Sequence, residues 1–338
     1  MRPVDRPRVE TRVFAGFQKH SERGAALLTV LLLVAVIAVL AGTALEKLRL
    51  STRIGGNAVA LDQARAFAQA AEILAVAKVS DLLARDPNRV TLAGGWSDKP
   101  FPLPIPGGIA TARVRDGGNC FNLNSLVVET GPGIYAAYSP TRRQFARLIR
   151  LVGAPTSSPD GIAAATADWI DSDNAPVEQG SEDASYTGYR PADTLMADPS
   201  ELRAVAGVTA AVYAKLRPWV CTLPKAEPSK INVNTLLPEQ AALFAMLLPD
   251  TLSVEGARQM LLKRPPQGFA STSEFWKLPA LSAITAGPDA EAQTAVTTKW
   301  FALRVDVTLG DADLEDHGLI DATKLPARLA TRQWGEPS

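Results

Sequence analysis

The first strong pattern along the chain is an apolar run of 22 residues, 24–45 (GAALLTVLLLVAVIAVLAGTAL), with no charged side chain. Directly before it stands the basic-flanked cluster Lys19-His20-Ser21-Glu22-Arg23. As a helix rising 1.5 Å per residue, such a run reaches about 33 Å, enough to cross a hydrocarbon core of about 30 Å. The pattern then turns amphipathic instead of stopping. Leu48, Ile54, Ala58, Leu61, Ala64, Phe67, Ala68, Ala71, Leu74, Val79 and Leu82 recur mostly at three- and four-residue steps. Asp62, Arg65, Gln69, Glu72 and Lys78 fill the other side, and Asp86-Pro87-Asn88 ends the pattern. The reading is one helix over 25–88, starting in a membrane and finishing on a soluble body, with Gly55-Gly56 as a soft point.

Residues 90–119 are rich in Gly and Pro and read as irregular, with PFPLPIPGG as a loop. Alternation predicts a strand over 109–115, a turn at Asp116-Gly117-Gly118 and a short strand at Cys120-Phe121-Asn122. Helical spacing then dominates at 140–152, 161–170, 198–205, 209–217, 238–248, 254–263 and 271–278. Alternation returns at 300–309 through Phe301, Leu303, Val305 and Val307, while 310–338 is ambiguous. Strands on both flanks of a helical block indicate an insertion into an α+β domain. The expected division is a head of 89–122 plus 296–335 and an all-α insert of 123–295, itself parted into 123–225 and 226–295. FNLNSL and INVNTL share one pattern and suggest two related helical subdomains, each entering a helix with its second Asn or its hydroxyl residue as N-cap.

Formal charge is zero but unevenly spread. The first 24 residues hold six Lys/Arg against three Asp/Glu, whereas 160–201 holds ten acidic residues and one basic one, Arg190. The only cysteines, Cys120 and Cys221, suit one long-range disulfide in an oxidising compartment, the alternative being two unrelated buried thiols. Lys/Arg counts beside the span, five in 4–23 and four in 46–65, barely orient it. The cysteines and the acidic block favour a body outside the cytoplasm. A cleavable signal peptide is the competing reading of the apolar run, whose length exceeds the usual 7–15 residues.

The densest chemistry lies in ADWIDSDNAPVEQGSEDASY, residues 167–186, where Asp168, Asp171, Asp173, Glu178, Glu182 and Asp183 fall within 16 positions. Carboxylates crowded this way repel by about 1 kcal/mol per close pair even in water. A hard divalent cation accepting six to eight oxygens removes that cost, and Ca²⁺ suits a turn-rich segment better than Mg²⁺ does. The spacing is not that of an EF-hand, and a solvated acidic loop is the plain alternative. Trp169, Ile170 and Tyr186 interleave apolar anchors that favour an ordered site. No G-x-S-x-G elbow, P-loop or H-E-x-x-H motif occurs, so the chain is not read as an enzyme. INVNTLLPEQAALFAMLL is similar to the entry of a nucleic-acid-binding helix-hairpin-helix. It lacks the hairpin glycines at 248–252 and has acidic surroundings, which argues against phosphate contact.

Together RGAALLTVLLLVAVIAVLA, CFNLNSL, the acidic segment, SELRAVAGV, WVCTLP and INVNTLLPE resemble, in that order, the K-type minor pseudopilins of bacterial type II secretion systems. The resemblance implies a type IV pilin-like head, a small antiparallel sheet behind a long transmembrane helix, carrying an insert of two SAM-like, helix-hairpin-like subdomains. It implies a leader over 1–24, cut between Gly24 and Ala25 by a prepilin peptidase that then methylates Ala25. A 24-residue leader is longer than usual, and no Met precedes Met196 to offer a later start. Most pilin-like proteins carry Glu at the fifth position after the cut, where it neutralises the amine of the subunit above; here that position is Thr29. A subunit with nothing above it needs no such carboxylate, so Thr29 fits the topmost place. The resemblance further implies one or two structural Ca²⁺ ions on Asp168, Asp171, Asp173, Glu182 and Asp183, with Glu178 and Gln179 as weaker ligands. It makes Cys120–Cys221 a staple between insert and head. The implied partners are the I- and J-type minor pseudopilins, other pseudopilins, and the secretin or exported proteins. The implied place is the inner membrane, single pass, N-terminus cytoplasmic and body periplasmic. A minor pilin of a type IV pilus or DNA-uptake machine is the runner-up; such a subunit would lack an insert of this size, and DNA uptake would call for a basic surface.

Overall fold

The computed structural model describes residues 21–335, with side chains from Gly24 onward, so most of the expected leader, including His20, lies outside the described residues. The described residues begin with helix α1 (Ser21–Arg85), and the chain divides into two units after Val59. In the first unit every side chain from Gly24 to Val59 is exposed. Among the described residues, α1 is the one helix long and apolar enough to cross a membrane. Its hydroxyls are satisfied within the helix, Thr29 Oγ1 donating to the Ala26 carbonyl at 2.9 Å and Thr43 Oγ1 to that of Leu40 at 3.0 Å. Internal satisfaction of this kind is what a lipid-facing helix requires. Helical structure runs on through Gly55-Gly56.

The second unit continues with β1 (Phe101–Ile105), β2 (Gly108–Asp116), β3 (Phe121–Asn122), β4 (Val127–Gly131) and β5 (Ile134–Ala137). There follow α2 (Ser139–Leu151), α3 (Pro159–Asp168), α4 (Ala210–Leu216), β6 (Val220–Cys221) and β7 (Ile231–Asn232). Short helices α5 (Ala241–Ala245), α6 (Val254–Leu262), α7 (Thr272–Trp276), α8 (Pro279–Ser282) and α9 (Pro288–Gln293) lead to β8 (Thr294–Ala295). The chain closes with β9 (Trp300–Leu309), β10 (Ala312–Asp321) and β11 (Arg328–Trp334).

The main sheet is antiparallel, in the order β1-β2-β9-β10-β11. Alternation along β9 buries Phe301, Leu303, Val305, Val307 and Leu309 on one face. Onto that face the last part of α1 lays Ala64, Ala68, Ala71, Ala75, Val79 and Leu83. Alanine at helical spacing removes side-chain bulk, so the helix approaches the sheet closely. Two expectations change here. PFPLPIPGG, read as a loop, supplies β1, whose Pro102 and Pro104 are tolerated because an edge strand leaves one row of backbone groups unpaired. Glu72, read as part of the polar side of α1, is 3 % exposed and faces the sheet, where Arg332 on β11 grips both of its oxygens.

The helical region is not all-α. It contains the hairpin β4–β5 and two short parallel pairs, β3–β6 and β7–β8. Several expected helices shorten as well: 198–205 is a 3-10 turn, and 238–248 is a 3-10 turn followed by the five residues of α5. Cys120 and Cys221 are bonded, next to the β3–β6 pair.

The FNLNSL/INVNTL echo has a structural counterpart. Asn122 and Asn232 each accept the backbone N–H two residues on, so the first Asn, not the second, opens the turn. The second Asn is a clamp. Asn124 accepts from Met196 N at 2.8 Å and donates to the Met196 and Leu223 carbonyls. Asn234 in the same way accepts from Phe269 N at 2.7 Å and donates to the Phe269 carbonyl. Both clamps are fully buried and each holds a segment well beyond the helix pair that follows it. Asn124→Ala orphans three buried backbone groups and is expected to cost about 3 kcal/mol, read as a lowered denaturation midpoint at unchanged m.

Candidate functional site

Helix α3 begins on a serine cap, with Ser158 Oγ accepting from Gly161 N at 3.2 Å, and ends at Asp168. There the carboxylate folds back over the following loop. It accepts from Val177 N at 3.2 Å and from Ser181 N at 2.7 Å, fixing residues 177–181 above the helix end. Gln179 passes through φ 64°, and Gly180 follows against the Asp168 carboxylate. A Cβ at Gly180 would lie 1.9 Å from Asp168 Oδ2, so only glycine lets the loop close this tightly.

Closing the loop brings Asp168, Asp171 and Glu182 together, each offering an oxygen within 4.8 Å of the others. They are 0 %, 1 % and 5 % exposed. Asp171 Oδ1 and both carboxylate oxygens of Glu182 have no hydrogen-bond partner among the described residues. Burial first, then the neighbouring carboxylates with Asp168 foremost, push Asp171 up to about 7 and Glu182 up to about 8. Asp168 is raised more modestly, burial being opposed by the two backbone N–H groups it accepts and by Arg142. Trp169 walls the site, its ring 5.6 Å from that of Tyr186 and 6.2 Å from that of Tyr189. Both tyrosines are tied to the segment after the next turn, Tyr189 donating to the Ala204 carbonyl and Tyr186 accepting from Ala206 N.

Three buried carboxylates, two of them with orphaned oxygens, do not form a stable apolar core. The donor set, all hard oxygen and carrying up to three negative charges, fits a hard divalent cation. Of the residues named from the sequence, the fold gathers these three and leaves Asp173, Glu178, Gln179 and Asp183 exposed outside the cluster. Asp173 instead caps its own turn, accepting from Ala175 N at 2.8 Å. The sequence reading missed Asp193. Its charge acts on both Asp171 and Glu182, and its backbone is held at φ 52° with N–H donated to the Trp169 carbonyl. Its signal was membership of the acidic block over 160–201, beyond the motif itself.

Two family descriptions of type II secretion system (T2SS) protein K match the chain, over residues 119–225 and 231–299. A type II secretion system protein K from Klebsiella pneumoniae is 34 % identical over 322 residues, covering 94 % of this chain and 97 % of that protein. The chain belongs to the type II secretion system protein K family. Its protein K relative from Aeromonas hydrophila is 36 % identical over 299 residues, covering 85 % of this chain and 89 % of its own. The crystal structure of the GspK-GspI-GspJ complex from the enterotoxigenic Escherichia coli Type 2 Secretion System matches with a TM-score of 0.70. Identity there is 29 %, over 81 % of this chain and 96 % of the other. As a protein K, this chain is a minor pseudopilin of type II secretion. The first matched segment starts two residues before FNLNSL and the second on the first residue of INVNTL, so the family boundaries and the repeated clamps coincide.

Proposed function

We propose that this protein K caps the tip of the secretion pseudopilus, primes its assembly with the I- and J-type minor pseudopilins, and carries a structural Ca²⁺ site in its helical insert. The observation that carries the tip reading is Thr29. At the fifth position after Gly24, in a run with no carboxylate from 24 to 45, it offers nothing to neutralise the amine of a further subunit. An uncompensated amine in the membrane would cost several kcal/mol, so growth above this chain is disfavoured. Pairing with I- and J-type subunits is supported by the neighbour having been crystallised as a GspK-GspI-GspJ complex.

The role is structural rather than catalytic. When bound, Ca²⁺ supplies charge neutralisation and a fixed set of oxygen bonds. Asp168, Asp171 and Glu182 would hold it, Asp168 also keeping the 177–181 loop closed, while Trp169 and the two tyrosines exclude water. Processing between Gly24 and Ala25, insertion in the inner membrane and a periplasmic body complete the reading, supported by the charge-free span and the bonded cysteines. The test is intact-mass and N-terminal analysis of the membrane form, expected to give a mature chain beginning with N-methylated Ala25. An uncut chain, or a start near Leu45, would overturn it. Thr29→Glu is expected to reduce secretion and to distribute the protein along the fibre; normal secretion with unchanged tip labelling would refute the charge argument.

A further inference from the structure

Helix α2 carries Arg142, Arg143, Arg147 and Arg150 and no acidic residue. Two of these arginines are already engaged. Arg150 pairs with Asp160, and Arg142 bonds Ser139 and lies close enough to the acidic cluster to act on Asp168. The other two sit one turn apart on a face completed by Gln144, and that face lines a cleft of about 290 Å³. The opposite walls come from the turn after α5 and the approach to α9.

Within this cleft Arg143 makes no hydrogen bond or ion pair among the described residues. Arg147 is half-buried and donates one bond, to the Met246 carbonyl at 2.8 Å. No carboxylate of the described residues comes within 4 Å of either guanidinium. Gln144 is 9 % exposed, yet its Oε1 has no partner. The cleft therefore presents Arg143 without a partner and Arg147 without a direct ion pair, though under the charge of the nearby Asp250, beside a nine-tenths-buried amide.

We propose that this cleft binds a peptide segment through one acidic side chain, the carboxylate lying between Arg143 and Arg147 and a peptide carbonyl accepting from the Gln144 side-chain amide. Paired guanidiniums match the planar carboxylate bidentately. Pro140, Pro249 and Pro288 supply apolar walls for the methylene stem of a glutamate. Asp289 among the lining residues, and Asp250, whose charge acts on Arg147, oppose a doubly charged phosphate and leave room for a single negative charge. The volume suits one or two side chains and falls below the usual range for larger organic ligands.

The test uses full-length protein in detergent micelles and fluorescence anisotropy with a labelled, end-blocked Ala-Ala-Glu-Ala-Ala peptide. Binding is expected to weaken with added salt, to fall about tenfold with the Gln-containing counterpart, and to fall as far with Arg143→Gln. Arg143 has no contact to lose, so that variant should melt like the parent. Arg143→Lys should retain part of the affinity, keeping the charge without the fork. Undetectable binding, equal binding of the Glu and Gln peptides, or indifference to Arg143→Gln would each overturn the proposal. So would free succinate competing as well as the peptide, since no peptide carbonyl would then be used.

Discussion

Stripping divalent cations from the full-length protein with EGTA is expected to lower its melting temperature by on the order of 10 °C, and added calcium should restore it. An ion that binds only the folded chain stabilises it by about 4 kcal/mol at a thousandfold excess over its dissociation constant. Each kcal/mol moves the midpoint of a chain this size by about 2–4 °C. Without the ion, three carboxylates at 0–5 % exposure face one another, Asp171 and Glu182 with oxygens unsatisfied, while Asp168 holds the loop over 177–181. Replacing ligands tests the cause. The double variant Asp171→Asn, Glu182→Gln loses the ion but also the repulsion, so it should melt above the metal-free parent and ignore calcium. If the unmodified protein melts identically in EGTA and in calcium, the structural-ion reading fails.

What the sequence disclosed depends on how local each signal is. The apolar run over 24–45 and the alternation of Phe301, Leu303, Val305 and Val307 are periodic within one element, and both were legible. β1 was not, because its prolines look like loop residues until the position of the strand at the sheet edge is known. Glu72 was misplaced for a related reason: its partner Arg332 lies 260 residues on, and only the folded sheet brings the guanidinium to it. The same split runs through the acidic cluster. Density of acid marked the segment, but burial sorted it, taking Asp168, Asp171 and Glu182 inside and leaving Asp173, Glu178, Gln179 and Asp183 in water. The Asn motifs show a third case. Their repetition was visible, while their task, clamping Met196 and Phe269 from a distance, required contacts 72 and 35 residues away.

Raising the pH from about 5 to 8 in saturating calcium is expected to destabilise the head by up to a few kcal/mol, and Asp316→Asn should abolish most of that slope. Asp316 on β10 is completely buried, and neither of its carboxylate oxygens has a donor. Beside it is Glu72, whose own carboxylate is held by Arg332, so two buried acids share one cation. Burial first, then the adjacent Glu72, push Asp316 up to about 7, with Arg332 opposing. The folded chain thus keeps a proton that the unfolded chain releases near pH 4. Stability must fall as pH rises from there to about 7, and the full cost persists above. The neutral acid can donate to Glu72; the ionised one can only repel it. An asparagine amide would supply that donor at every pH. The variant should therefore match the parent at pH 5 and melt several degrees higher at pH 8. Parallel curves for the two proteins would show that the shared proton does not hold α1 against the sheet.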